Sequence, residues 1–247
     1  MQSQYPANIE AIPLKSKVAK TSVADVGGHR QYAELCSIAL ALDVVGDRWA
    51  LLIVRDLFAG PKRFTDLEAG LPGVGTSVLS ERLKQLEGHA VVRRRRLGSP
   101  APAWIYELTE WGRALEPVVS GLGRWGTVLL AGRGDLARRG RWLLQAMAAT
   151  VTAPPGVETT NFILDGEECH IAVVGERLAA RDGLREDSRI TVRGAVLDFY
   201  ALVTSAKLPA AVSRRFVVEG DRTSAERLLN HLVSGARRAG STGRPNT

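Results

Sequence analysis

The stretch from Thr76 to Arg96 constrains this chain more than any other, because a helical pattern with an open polar face runs almost directly into four consecutive arginines. Leu79, Leu83 and Leu86 recur at i, i+4 and i+7, the spacing of one helix face, with Val78 at its edge. Thr76 stands where a cap is expected. Ser77, Ser80, Glu81, Lys84 and Gln85 fall on the other side, with lengths and hydrogen-bonding groups suited to base edges and phosphates. Taken alone, the segment reads first as an ordinary amphipathic surface helix, and the DNA-facing reading comes second.

Its neighbours favour the DNA-facing reading. Val91, Val92, Arg93 to Arg96 and Leu97 form a β-compatible run that stops at Gly98-Ser99-Pro100-Ala101-Pro102, and Trp104, Tyr106 and Leu108 then alternate. Two such strands around a Gly/Pro loop predict a hairpin, in which alternate arginines face opposite sides. Upstream, Ile38, Leu42 and Val45 share one face of a helix from Cys36 to Val45. Asp47 can cap a second helix to Phe58, with Trp49, Leu52, Ile53 and Leu57 inward. Thr65 can cap a third through Leu67 to Leu71, before the turn Leu71-Pro72-Gly73-Val74-Gly75. Helix, helix, helix, turn, helix, hairpin is the order of a winged helix-turn-helix, whose helix after the turn enters the major groove.

Several separated motifs now carry a family resemblance. Cys36, Gly46-Asp47-Arg48-Trp49, Arg55-Asp56-Leu57, Arg63-Phe64, Leu79-Ser80-Glu81-Arg82-Leu83, Tyr106-Glu107-Leu108-Thr109 and Arg124-Trp125-Gly126 together resemble the HxlR-type regulators, relatives of the MarR group. Ser37 stands where proline is common in that family. The resemblance implies a homodimer on double-stranded DNA carrying a palindromic operator. The residues expected to face that DNA are Lys62, Arg63, Thr76, Ser77, Ser80, Glu81, Arg82, Lys84, Gln85, Arg93, Arg94, Arg95 and Arg96. It also implies a redox or electrophile sensor at Cys36, since some members sense through the cysteine at this place. A small apolar contact is the alternative role for that thiol.

A dimer element is legible as well. Thr109 can cap a helix from Glu110 to about Leu130, whose apolar stripe includes Trp111, Leu115, Val118, Leu122, Trp125 and Leu129. Packing within one chain would use the same stripe. Gly121-Leu122-Gly123-Arg124-Trp125-Gly126 matches the letters of a dinucleotide fingerprint, but it sits late in a helix with no strand before it.

Composition narrows the class. The 247 residues carry a net charge of +7, which favours polyanionic partners in general. Between Cys36 and Gly126 acids nearly match bases, so the excess on this module is local to the hairpin. No apolar run is long enough to span a bilayer, and residues 1–32 read as a flexible leader without a secretory core. The two cysteines, Cys36 and Cys169, offer no disulfide framework and suit a cytoplasmic location.

The sequence predicts a change of class after a link at 132–140. Trp142 to Val151 reads as a helix, then Thr160 to Leu164, Cys169 to Val174, Arg189 to Val192 and Arg215 to Val218 as strands. A helix from Ala195 to about Thr204 and a shorter one after Pro209 precede the last strand, and Asp221 can cap a final helix. The order resembles the sterol carrier protein family over 141–234, with 235–247 as a tail. That likeness implies a small apolar ligand in a tunnel lined by Phe162, Leu164, Phe199, Tyr200, Leu202, Leu208 and Phe216, which can equally be a filled core.

The expected fold class is therefore α+β: a winged helix-turn-helix over 33–131, mostly α with a β-hairpin wing, and a C-terminal α/β domain. No catalytic residues, cofactor or metal are expected. His29, His89, His170 and His231 are scattered, and adjacent Cys169 and His170 point to opposite faces of a strand. The sequence predicts a dimeric, ligand-responsive transcription regulator, more in keeping with a repressor, and not an enzyme. A lipid or polyketide carrier that keeps the winged helix only as a dimer scaffold is the alternative.

Overall fold

The structure, a computed structural model, describes residues 32–98, 103–126, 129, 139–204 and 215–241. The chain divides into two compact units, Met1–Pro117 and Val118–Thr247. The expected leader up to residue 31, most of the 132–140 link, Leu208, the short helix after Pro209 and the last six residues of the expected tail lie outside the described residues.

In the first unit the order is α1 (Ser37–Val45), α2 (Ala50–Phe58), β1 (Lys62–Arg63), α3 (Phe64–Gly70), α4 (Thr76–Gly88), β2 (Val92–Arg96), β3 (Trp104–Leu108) and α5 (Glu110–Arg113). The mixed helical and β-hairpin order is the expected one. Leu79, Leu83 and Leu86 of α4 meet Ile53, Val54 and Leu57 of α2 and Leu67 and Leu71 around α3 in a core where each is at most 2% exposed. Strands β2 and β3 pair antiparallel with Arg93 opposite Glu107, and β1 pairs with the other edge of β3.

Local capping differs from expectation in three places, in two of which a tertiary partner holds the expected cap and in the third a local capping box starts the helix earlier. Thr76 donates its hydroxyl to Glu68 of α3 at 2.5 Å, so Gly75 becomes the N-cap of α4. Asp47 binds Arg82, and Trp49 takes the cap position of α2. At α3 the cap is Arg63, whose backbone N–H donates to Asp66 at 3.0 Å, and Thr65 lies inside the helix. Helix α1 also turns differently: Ala39 and Val45 are buried, while Ile38 is 70% and Leu42 41% exposed. Of the three residues expected to share one face, Val45 alone is buried and the other two are open.

The long helix expected after Thr109 is broken in two. Thr109 does cap α5, accepting from Gly112 N–H at 3.0 Å, but α6 (Glu116–Gly126) starts afresh. Pro117 in its first turn has no N–H to give the Arg113 carbonyl, so the first helix cannot continue. Gly112 seats α5 against the wing: a Cβ there would lie 2.0 Å from the Val91 carbonyl oxygen.

The second unit holds α6 from Val118 onward and adds α7 (Gly140–Ala148), β4 (Thr160–Leu164), β5 (Glu167–Val174), β6 (Arg177–Asp182), β7 (Ile190–Gly194), α8 (Val196–Thr204), β8 (Val217–Glu219) and α9 (Arg222–Ser241). Its strands run β6-β5-β4-β7-β8, antiparallel except for the parallel β4–β7 pair. Strand β6 is not in the sequence reading. Carboxylates fix the helix starts, as the dipole favours: Glu167 accepts from Gly140 N–H, Asp165 from Val196 N–H and Asp221 from Thr223 and Ser224 N–H. Helix α9 extends into the expected tail as far as Ser241, because Gly235 lets it approach Val151 and Ala236 is buried.

Of the expected tunnel lining, Phe162, Leu164, Phe199 and Phe216 are instead core, at most 3% exposed. Phe199 packs on Phe162 at 5.9 Å and on Phe216 at 4.5 Å between ring centroids, so the rings fill the space they were expected to line. Tyr200 is half-buried, and the Leu202 side chain lies outside the described residues.

Gly112→Ala should destabilise the first unit by roughly 1–3 kcal/mol, because the new methyl meets backbone that cannot rotate away. Thermal unfolding reads this; an unchanged midpoint would refute the close seating of α5.

Candidate nucleic-acid interface

The rotation of α4 decides which of its side chains can reach a ligand. With three leucines buried, Ser77, Ser80, Glu81 and Lys84 are exposed along its outer face. Arg82 and Gln85, expected among them, turn to the flank. Arg82 binds Asp47 and the Gln85 carboxamide oxygen, and Gln85, 8% exposed, donates to Glu81 at 3.1 Å. Both orient the helix and neither is presented to a groove. Thr76 is exposed, but its hydroxyl braces α4 against Glu68.

Strand β1 divides the other basic pair. Arg63 is exposed, whereas Lys62 is only 5% exposed in the strand beside β3. Lys62 is therefore not placed for a phosphate contact, contrary to expectation. Arg63 is the member of the pair that faces solvent.

All four wing arginines are exposed, and the strand sorts them into two pairs. Arg93 and Arg95 share one face and both donate Nε to Glu107 Oε1, at 2.7 and 3.3 Å. Arg94 lies on the other face, its guanidinium 4.2 Å from the centre of the Trp104 ring, a cation–π contact that limits its freedom. Arg96 pairs in register with Trp104. Leu97 N–H donates to Ala103 at 2.8 Å and closes the described part of the hairpin.

Glu107 is the site residue that sequence reasoning missed. Burial pushes its carboxyl up, but the hydrogen bonds from Arg93 and Arg95 outweigh this and hold it below the usual glutamate range. Its contribution is complete at neutral pH and is lost only as pH falls through that depressed value. Trp104 was expected only as an alternating strand residue. The pairing of both aromatic and acid with arginines follows from the register, which a single sequence leaves open.

The two cysteines sit in opposite environments. Cys36 is exposed at the start of α1, where backbone N–H groups of Ala39 and Ile38 lower its pKa. Cys169 is buried, with its pKa raised to about 12 mainly by desolvation. It lies beside the Phe162 carbonyl, whereas His170 on the other face meets the Gly183 carbonyl at 2.9 Å. Among the described residues no group of three His, Cys, Asp or Glu could hold a metal ion, and no helix is long and apolar enough to cross a membrane.

Residues 44–132 match the HxlR-like helix-turn-helix family. The HTH-type transcriptional regulator YvaP of Bacillus subtilis strain 168 is 40% identical over 96 residues, 38% of this chain and 89% of that protein. The HTH-type transcriptional regulator YodB of the same strain is 39% identical over 85 residues, 34% of this chain and 76% of YodB. Among solved structures, the redox regulator HypR in its reduced form is 32% identical, covering 37% of this chain and 90% of HypR, with a TM-score of 0.35. The five-stranded sheet lies beyond the family match.

A thiol reagent applied to the native protein should modify Cys36 and spare Cys169. The rate at Cys36 should rise at lower pH than for an ordinary thiol, since its thiolate forms earlier. Equal labelling of the two, read by mass spectrometry of peptides, would contradict the assigned environments.

Proposed function

Because the chain belongs to the HxlR-like helix-turn-helix family, we propose that it is a dimeric, sequence-specific DNA-binding regulator of transcription. The observation that carries this reading is the exposed polar face of α4 standing in one unit with a wing of four exposed arginines. Ser77, Ser80, Glu81 and Lys84 have the donors and acceptors for base edges in a major groove. The arginines supply sequence-independent phosphate attraction.

Dimerisation is part of the proposal. In the single chain α1 leaves Ile38, Leu40 and Leu42 exposed, and α6 leaves Val118, Leu122 and Trp125 exposed. Trp111 and Leu115, from the same expected stripe, are half-buried. Two recognition helices related by a two-fold axis would read half-sites about 34 Å apart on a palindromic operator, and repression follows where such a site overlaps a promoter.

The second unit is then the effector domain. For a small apolar ligand to act there, the Phe162, Phe199 and Phe216 rings must part, and the coupling to DNA affinity would be about 1–3 kcal/mol. A second input is supported by the exposed, acidified thiol at Cys36, which suits oxidant or electrophile sensing. Replacing Cys36 with serine should abolish oxidant-dependent release of DNA; release that persists in the variant excludes this input.

The central test is a titration of the purified protein on its own upstream DNA and on random duplex at several salt concentrations. A regulator prefers the former; a carrier using the winged helix as scaffold shows no preference, and that result would sink the proposal. Ser80→Ala and Lys84→Ala should relax base preference. Arg94→Ala should weaken all sequences alike and lower the salt slope by roughly 0.9 per lost phosphate contact.

A further inference from the structure

Arginines two apart on one strand face repel each other, so they splay unless something draws them together. In the wing one group does so. Glu107 lies directly opposite Arg93 and diagonally from Arg95, and a single oxygen, Oε1, accepts Nε–H from both. The acid side chain is 10% exposed, while the arginine side chains are 61% and 48% exposed. Buried anion and exposed cations make a layered arrangement: the carboxylate sits beneath, and the guanidiniums reach past it into solvent.

The hydrogen-bond accounting gives this arrangement a direction. A guanidinium has five N–H donors, and Glu107 takes only the Nε–H of each. The terminal nitrogens of Arg93 and Arg95 donate to no other group among the described residues. Two cationic forks thus stand side by side with open donors, carrying one net positive charge with their shared acid. A backbone phosphate oxygen pair, with one negative charge and acceptors for both forks, is the complementary ligand. Arg94, across the strand on Trp104, is excluded from this pair by the pleat.

We infer that Glu107 is a positioning residue of the wing, which converges Arg93 and Arg95 into a clamp for a single DNA backbone phosphate. This rests on the DNA-binding reading above. The clamp differs in sign from simple charge counting. If Glu107 merely neutralised the wing, removing it would add positive charge and tighten DNA binding; if it positions the pair, removing it weakens binding although the protein becomes more basic.

The test uses the full chain and a short mixed-sequence duplex, with affinity measured across a salt series. Glu107→Gln keeps the volume of the side chain, so it isolates the carboxylate, and circular dichroism with a thermal melt checks that the wing's unit remains folded. Affinity should fall on the order of tenfold, and the salt slope should drop by roughly 0.9, the value of one phosphate contact. Glu107→Asp should recover part of the loss. In an R93A/R95A background, Glu107→Gln should no longer weaken binding, because there is nothing left to position. Unchanged or tighter binding by Glu107→Gln, with a steeper salt slope, overturns the clamp while leaving DNA binding intact. A loss of the same size in the R93A/R95A background also overturns it, by showing a merely structural role. Salt-independent binding by the unaltered chain would instead overturn the DNA-binding reading, and the clamp with it.

Discussion

The attachment of Arg82 to Asp47 and Gln85 governs what the helix α4 can do. Three buried leucines would hold an amphipathic helix against a core over a range of rotations, since apolar packing is non-directional. A guanidinium bound on one flank removes that latitude. Arg82 ties the helix to the turn between α1 and α2, and Gln85 passes the constraint on to Glu81. The outer face is then fixed as Ser77, Ser80, Glu81 and Lys84, with Thr76 and Glu68 bracing its start. Half-buried ion pairs of this kind contribute little net stability after desolvation, and their value here is orientational. A readout helix must present the same side chains each time it docks.

Elements set by local period and turn chemistry were legible in the sequence. The α4 leucines, the wing strands, the Asp165-Gly166 turn and the Asp221 cap all depend on residues within a few positions of each other. What escaped depends on partners far along the chain. Asp47 and Thr76 are good caps in isolation, but each found a stronger or closer tertiary partner. Gln85 and Lys62 look like surface residues by type and are buried by position. Strand β6 carries Leu178, Ala179 and Ala180 between charged ends, a short run with weak alternation that only pairing with β5 turns into a strand.

The wing shows why a charge run is a poor guide until its register is known. Counted as charge alone, four arginines in a row make one positive patch, and strand alternation says only that they divide into pairs. The pleat splits them, Glu107 gathers one pair and Trp104 holds a member of the other. Each partner costs the arginine some freedom before any ligand arrives, so less ordering remains to be done at the moment of binding. The same residues in a loop would have the same charge without that preparation.

Large apolar side chains left exposed on α1 and α6 give the protomer its remaining constraint. Isolated surface leucines are unremarkable, but Ile38, Leu40 and Leu42 crowd one short helix whose buried contacts are made by Ala39 and Val45. In the proposed dimer such a helix offers the second copy its larger side chains, where the greater hydrophobic gain has yet to be made. In α6 the same logic applies to Val118, Leu122 and Trp125, and no residue of that helix falls in the buried class. If a second copy covers these faces, the geometry of the two wings becomes a property of the dimer. In the proposed dimer, a signal that shifts α1 would then reach the wing of the same unit without altering the exposed face of α4 itself.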